Sequence, residues 1–399
     1  MLVSTNELWV RSMSIVFWVL FILYFYKFAK EFLPDIVTNI SLLLLAWSPT
    51  MIFYSIEPRN YTIGMFFVMA QFYYFMVWLR DDYPNTSIDR NAAVVLSILM
   101  FWTHYFTILI LLPEALLLLM SKRKELRLQA IKMAGIIFLG MLPVIIFNLI
   151  PSVLRMEGFW FKQITAVGYF SSYVYQFILT DSASAISVAI IMFAIAYSVW
   201  ATFRQESSKY LLIFLMPVTF QWVFSQIHPM YHHRFFLFFS FSLYILIAYG
   251  IAAVFDEKNK RIRTIKKYAG MGIYALMLVC LIYNMFITPQ ALPHELRDAS
   301  VVLRENVKPY DIILHSSSFS QTPFRYYLRD IQLYQLIMNN LTEREQYSAG
   351  GAVVERNSVY RSLEDVKAFA GDRPIYYVGD KYYKGTTLFA EGGLYIIRI

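Results

Sequence analysis

The stretch "SPTMIFYSIEPRNYTIGMFF", residues 48–67, sets an acid, Glu57, and a base, Arg59, in a narrow gap between two strongly apolar runs. Its meaning depends on what those runs are. Of the 399 residues, 58% are hydrophobic, 18% aromatic and only 16% charged, against about 25% charged in an ordinary soluble domain. Several runs approach or exceed the ~20 apolar residues that cross a bilayer, and in lipid only helices and closed barrels satisfy their own backbone. The runs are continuous and lack the alternation of barrel strands, so they read as helices. The expected fold class is an all-α polytopic membrane domain followed by a small α/β domain. Glu57 and Arg59 then lie at the lip of a membrane segment.

Working outward, about ten spans are expected: 12–29, 35–50, 62–79, 91–103, 106–120, 130–150, 183–202, 210–225, 235–254 and 269–287. The fourth and fifth are short and together resemble one long helix. However, "LRDDYPNTSIDR" before them and "SKRKELR" after them both read as loops on one side, which favours a hairpin turning near His104. The net charge of +8 is scattered through short loops and forms no single patch, so it reads as a topology signal and not as a nucleic-acid surface. Lys27, Lys30, Arg80, Arg90, "SKRKELR", Arg204, Lys209 and "DEKNKRIRTIKK" gather on one face, which becomes the cytoplasmic one. The opposite, exoplasmic connections carry Glu57, Arg59, His104, the loop 151–182 and "SQIHPMYHHR". The residues ahead of the first run are not expected to form a cleavable leader, because that run is too long and no small-residue cleavage site follows it. Cys280, the one cysteine, excludes an intrachain disulfide.

The composition changes after residue 288, giving expected domains of 1–288 in the membrane and 289–399 outside it. Strand-like runs at 311–316, 373–380 and 394–399 alternate with helical candidates near 295–306 and 358–370, the pattern of a small α/β domain. An even number of spans puts it on the exoplasmic, periplasmic side of a cell (inner) membrane.

Three constellations at the exoplasmic lip could carry chemistry. In "YSIEPRNY" the planar fork of Arg59 suits phosphate oxygens, with Glu57 and Tyr61 beside it; the structural alternative is an arginine snorkelling to the headgroups with Glu57 as partner. In "FWTHYFT", His104 is able to take a proton or bind a sugar hydroxyl and Tyr105 to pack on a sugar or prenyl surface, or both belong to the interfacial aromatic belt. In "HPMYHHRFF", His228, His232 and His233 invite a metal reading, but the loop holds no Cys, Asp or Glu to complete a site. No metal or other cofactor is expected. Arg234 reads instead as a second interfacial cation. The aromatic loop 151–182 is expected to lie along the membrane surface as an amphipathic segment and, in an enzyme for lipid-linked substrates, to wall the cleft.

These residues resemble a family. "ELWVRSMSIVFWVLFILYFYKFAK" with Arg11 and Ser14, the run closing in Ser48 and Pro49, and "YSIEPRNY" with Tyr54, Ser55, Glu57, Arg59 and Tyr61 look like the GT-C glycosyltransferases of the protein-mannosyltransferase and aminoarabinose-transferase type. Thr103-His104-Tyr105, Arg234-Phe235 and Asp311–Leu314 also look like that family. The resemblance implies inverting transfer of a sugar from a polyprenyl-phosphate donor to an exoplasmic acceptor: a protein, lipid or envelope glycan. It implies donor-phosphate binding by Arg59, Tyr61 and Arg234, catalytic roles for Glu57 and His104, and substrate contacts from Tyr105, His232 and His233. Two departures stand out. Such proteins usually begin with a further span and an acidic exoplasmic loop that carries the base, which implies a truncated or inactive copy or a start placed too late. Pro58 also stands where a small residue is more usual.

Two other readings stay open. A transporter or flippase of an amphipathic or lipid-linked solute predicts ionisable residues near the bilayer midplane, and Glu114 is the main one in a span interior. A lipid-linked glycan polymerase or ligase shares the multi-span body, but its largest soluble part usually lies between spans. The expected partners are the bilayer, a polyprenyl-phosphate sugar and an acceptor of unknown identity.

Overall fold

The computed structural model describes residues 7–57, 59–80, 87–121, 124–151, 165–179, 184–202, 208–227, 231–255, 264–287, 295–316, 318–338, 359–360, 362–379, 385–391 and 394–399. The chain divides into two compact units, Met1–Ile146 with Phe161–Ala291, and Phe147–Trp160 with Leu292–Ile399.

The first unit is helical. Among the described residues six helices are long and apolar enough to cross a bilayer: Arg11–Phe32, Tyr61–Leu79, Glu125–Leu149, Ala185–Thr202, His233–Phe255 and Lys267–Phe286. Shorter apolar helices run over Tyr105–Met120 and Lys209–Ser225. The chain is therefore a multi-pass membrane protein. The expected single span 35–50 is instead two helices, α2 (Asp35–Ala46) and α3 (Pro49–Ile56), bent by 61° where they meet. Ser48 and Pro49 cause the break: Ser48 is extended, its Oγ accepts the Met51 N–H, and Pro49 starts a new helix with no N–H of its own to satisfy.

Helix α1 (Glu7–Phe32) and helix α4 (Tyr61–Leu79) run parallel, because their contacts advance in step. Phe17 meets Phe66 at 5.7 Å, Tyr24 meets Tyr73 at 6.2 Å, and Arg80 pairs with Glu31 at 2.7 Å. From Arg11 to Glu31 the helix rises about 30 Å, the thickness of the hydrocarbon core. Glu57 and Glu31 thus mark opposite faces.

Helix α5 (Ser87–Thr103) returns to the Glu57 face, where the Thr103 carbonyl accepts from Asn60 Nδ2 at 2.5 Å. The chain then reverses at His104, whose ring lies 6.1 Å from that of Tyr61, and descends again through Leu111–Met120 (α6), where Glu114 meets Gln71 of α4. The hairpin expected at His104 is present. His233–Phe255 is the central span, 83% buried within the protein, whereas Glu125–Leu149 is 17% buried and leaves most of its surface for lipid.

The second unit holds a six-stranded sheet in the order β3-β2-β1-β4-β6-β5: β1 Ile312–His315, β2 Tyr334–Met338, β3 Val359–Tyr360, β4 Ile375–Gly379, β5 Thr386–Glu391 and β6 Leu394–Arg398. The first four strands in that order are parallel, and β6 runs antiparallel to both its neighbours, β4 and β5. Alternate residues of β1 face opposite cores. Ile313 joins Ala299, Leu303, Phe324 and Leu328 from helices Glu295–Asn306 and Ser318–Tyr327, and Ile312 and Leu314 join Val366 and Ala370 from helix Leu363–Ala370. Helices cover both faces, and for that reason "IIL" reads as an unbroken apolar run.

Candidate functional site

The Glu57 gap is held from below by α1. Arg11 donates to the Ile56 carbonyl at 3.0 Å and Ser14 Oγ to the Glu57 carbonyl at 2.7 Å, which gives a physical reason for the "R-x-x-S" pattern. Glu57 is the extended residue that ends α3, and its Oε1 pairs with Arg59 Nε at 3.0 Å. The Arg59 side chain is 50% exposed, so the pair contributes little stability and serves to aim the guanidinium.

Tyr61 opens α4 and is buried. Its ring packs edge-on against Tyr54 at 5.0 Å, and the Tyr54 hydroxyl shares a 2.7 Å hydrogen bond with that of Tyr175. Tyr175 ends helix α8 (Ala166–Tyr175), which follows α7 (Lys124–Val144). The segment from Ser172 to Ile178 is not a surface strip as expected; it is buried and clamped. Thr50 Oγ1 donates to the Tyr175 carbonyl at 2.8 Å, Ser48 Oγ to that of Phe177 at 2.9 Å, and the Tyr244 hydroxyl to that of Gln176. Burial of its own backbone carbonyls draws the segment toward hydroxyl donors and away from the lipid surface. Residues 152–164 and 180–182 of the expected loop lie outside the described residues.

Two histidines build the opposite wall by the same device. His104 is extended, and its Nδ1 accepts the Phe106 N–H at 3.4 Å as the chain enters a 3-10 turn over Tyr105–Ile110. His232 is extended, and its Nδ1 accepts the Arg234 N–H at 3.3 Å ahead of a 3-10 turn over His233–Phe239. A ring nitrogen that accepts an N–H must be unprotonated, so each ring is neutral with its proton on Nε2. Burial and then the Arg234 charge push His104 down to about 4. Burial, then Arg234, His233 and Arg59, push His232 down to about 3. The His104 ring packs on Phe235 and Phe238 at 5.2 and 4.8 Å.

Arg234 is the second cation of the cluster. Its charge acts on Tyr54, Tyr61, His104 and His232, while that of Arg59 acts on Tyr61 and His232. The two arginines thus converge on one tyrosine and one histidine from different helix heads. Arg234 Nε is buried and has no hydrogen-bond partner among the described residues, an unmet donor that an anion would satisfy.

The structure therefore brings together Glu57, Arg59, Tyr61, His104, His232 and Arg234. Tyr105 instead packs on Phe101 at 5.8 Å. His233 turns toward α8, with Nδ1 2.8 Å from Ser172 Oγ and Nε2 3.3 Å from Ser171 Oγ. His228 and Pro58 lie outside the described residues. Asn60, Tyr175, Phe235 and Phe238 also belong to the site's surroundings. Only Phe235, within "R-F", had any signal in sequence; the others are placed by contacts between distant segments.

Beside this cluster, close approach matters at Gly64. A Cβ on Gly64 would come 2.6 Å from the Phe238 ring, so α4 lies against the Arg234 segment only because residue 64 has no side chain.

The described residues thus form a multi-span helical membrane body, with ionisable side chains gathered at one end of its helices, and a small α/β unit. Among solved structures, the chain is similar to the crystal structure of ArnT from Cupriavidus metallidurans in the apo state, with a TM-score of 0.58 and 13% identity over 97% of this chain and 83% of that one. At that identity the likeness concerns the fold alone. No family model matches the chain, and no curated protein matches it.

Proposed function

We propose that this chain is a membrane glycosyltransferase that takes its sugar from a polyprenyl-phosphate carrier and passes it to an exoplasmic acceptor. The observation that carries the reading is that the charges of Arg59 and Arg234 both act on Tyr61 and His232, with a buried guanidinium nitrogen of Arg234 unpaired among the described residues. In such a transfer the bond from the sugar's anomeric carbon to the phosphate oxygen breaks, and a bond to the acceptor oxygen forms on the opposite face. Negative charge grows on the departing phosphate, and cations fixed beforehand at that position stabilise the transition state more than the ground state.

Arg59 and Arg234 fill this role, with the Tyr61 hydroxyl beside them. His104 and His232, held neutral by their caps, act through Nε2–H as donors toward sugar or phosphate. Glu57 orients Arg59, and the acceptor's proton goes to a base outside this cluster. The cluster faces the exoplasm because the basic loops gather at the other ends of the spans.

The test is transfer of radiolabelled sugar from a polyprenyl-phosphate donor in membranes containing the wild-type chain or Arg59→Ala. Loss of turnover in the variant is expected, and equal turnover in the two removes Arg59 from the mechanism. A transporter of an amphipathic or lipid-linked solute is the second reading, favoured by the buried Glu114. Proteoliposome uptake that requires Glu114 would replace the first reading with this one.

A further inference from the structure

Glu114 lies on α6 and Gln71 on α4, and both are buried. Gln71 is the tenth residue after Tyr61 and Glu114 the tenth after His104, so each lies about 15 Å below the lip cluster, near the middle of the hydrocarbon core. Gln71 Nε2 donates to Glu114 Oε2 at 3.0 Å. The other oxygen of each group, Glu114 Oε1 and Gln71 Oε1, is buried without a hydrogen-bond partner among the described residues. Among the described residues no Lys, Arg or His forms an ion pair with Glu114.

Two orphaned acceptors on groups already joined at one corner are an arrangement that a proton resolves. An ionised carboxylate has no hydrogen to offer, so it leaves both oxygens unpaired at a depth where water cannot replace the missing bond. Turning the amide over only exchanges which atoms are left unmet. A proton on Glu114 Oε1 lets it donate to Gln71 Oε1, and the acid and the amide then close a ring of two hydrogen bonds with every polar atom satisfied.

We propose that Glu114 is held as a neutral carboxylic acid in a two-bond ring with Gln71, and that this ring is a positioning pin between the helices that carry Tyr61 and His104. Its consequence for transfer rests on the glycosyltransferase reading above; the ring itself does not. Glu114 touches no substrate. It fixes how α4 and α6 sit against each other, and through them the placement of Tyr61 beside His104 at the lip. A proton-carrying or ion-coupling role for Glu114 makes the opposite demand, since it needs a group that ionises during the cycle.

Glu114→Gln separates the two. A glutamine closes the same ring through its own N–H and carbonyl, whereas it can neither carry a proton nor bind a cation by charge. Glu114→Leu keeps the volume and removes the ring. With the full chain in lipid nanodiscs, the infrared difference between wild type and Glu114→Gln at neutral pH is expected to show the carbonyl stretch of one protonated carboxylic acid. Glu114→Gln is expected to match wild type in unfolding temperature and in transfer from a polyprenyl-phosphate sugar. Glu114→Leu is expected to unfold several degrees lower and to transfer about tenfold more slowly, in line with a lost buried network.

A carboxylate band in place of the acid band, or a Glu114→Gln variant as impaired as Glu114→Leu, overturns the proposal. Should the wild type transfer no sugar at all, the enzyme reading falls, and the infrared and unfolding measurements still decide the ring.

Discussion

The two histidine-capped segments, "HYFTILI" from His104 and "HHRFFLFF" from His232, share a backbone device and differ in what it presents. In each, an extended histidine accepts the N–H of the residue two positions on and launches a 3-10 turn. That capped residue is Phe106 in one and Arg234 in the other. Phe106 stacks on Phe235 at 4.6 Å and closes an apolar wall, whereas Arg234 supplies a cation whose charge acts on Tyr61 and His232. One device thus serves two purposes: the cap fixes the direction of the chain, and the side chain two residues later decides between packing and electrostatics.

The largest effect expected from breaking this comparison is at the residue that differs. Arg234→Ala should lower the rate of transfer by about 100-fold or more, as removal of one preorganised transition-state partner does, while Phe106→Ala should lower it far less and act mainly through weaker packing. Steady-state transfer assays on the two variants in parallel check this, and equal losses would mean that the cation has no special part.

The shared element predicts smaller and matching effects. His104→Ala and His232→Ala should each cost about 1 kcal/mol of stability, the usual worth of a capping side chain, and Asn at either position should restore most of it. Thermal unfolding of the four variants tests the cap. Transfer by the Asn variants tests whether Nε2–H has a separate use, since Asn keeps the cap and moves the outward donor.

The remaining test concerns pH. Both histidines are held below the ordinary 6.5 in the folded chain, at about 4 and about 3, so between those values and 6.5 the unfolded chain binds the protons first. The unfolding midpoint should therefore be level above pH 6.5 and decline as pH falls toward 4 and then 3. A chain with Asn at both positions should decline less over that window.

Much of the fold was legible because lipid imposes a simple rule. A long run of apolar residues with no alternation has to be a helix in lipid, and the membrane helices and the turn at His104 follow from such runs, whereas the strands within 311–316, 373–380 and 394–399 follow from short apolar runs in the more polar part of the chain. What escaped had a mixed signal. "YQLIM" of β2 and "TTLFAE" of β5 carry polar residues, and the helix over Ser318–Tyr327 is rich in serine and contains Pro323, so it reads as a loop. The break at Ser48 was visible as Ser-Pro yet read as the end of a span, because hydropathy is blind to a bend.

The site was legible in part for a different reason. Ionisable residues are scarce in this chain, so Glu57, Arg59, His104 and Arg234 stand out wherever they occur, and charge placement puts them at one lip. By itself the sequence determined that these groups lie at the ends of membrane helices, since no other placement keeps them hydrated. Only the tertiary structure decided that Arg59 and Arg234 act on the same tyrosine, that two histidines are caps, that Ser172–Ile178 is buried behind Tyr54, and that Glu114 meets Gln71. Apart from the two caps, which are local, those facts depend on contacts between residues roughly 40 to more than 120 positions apart, and separation along a chain leaves no periodicity to read.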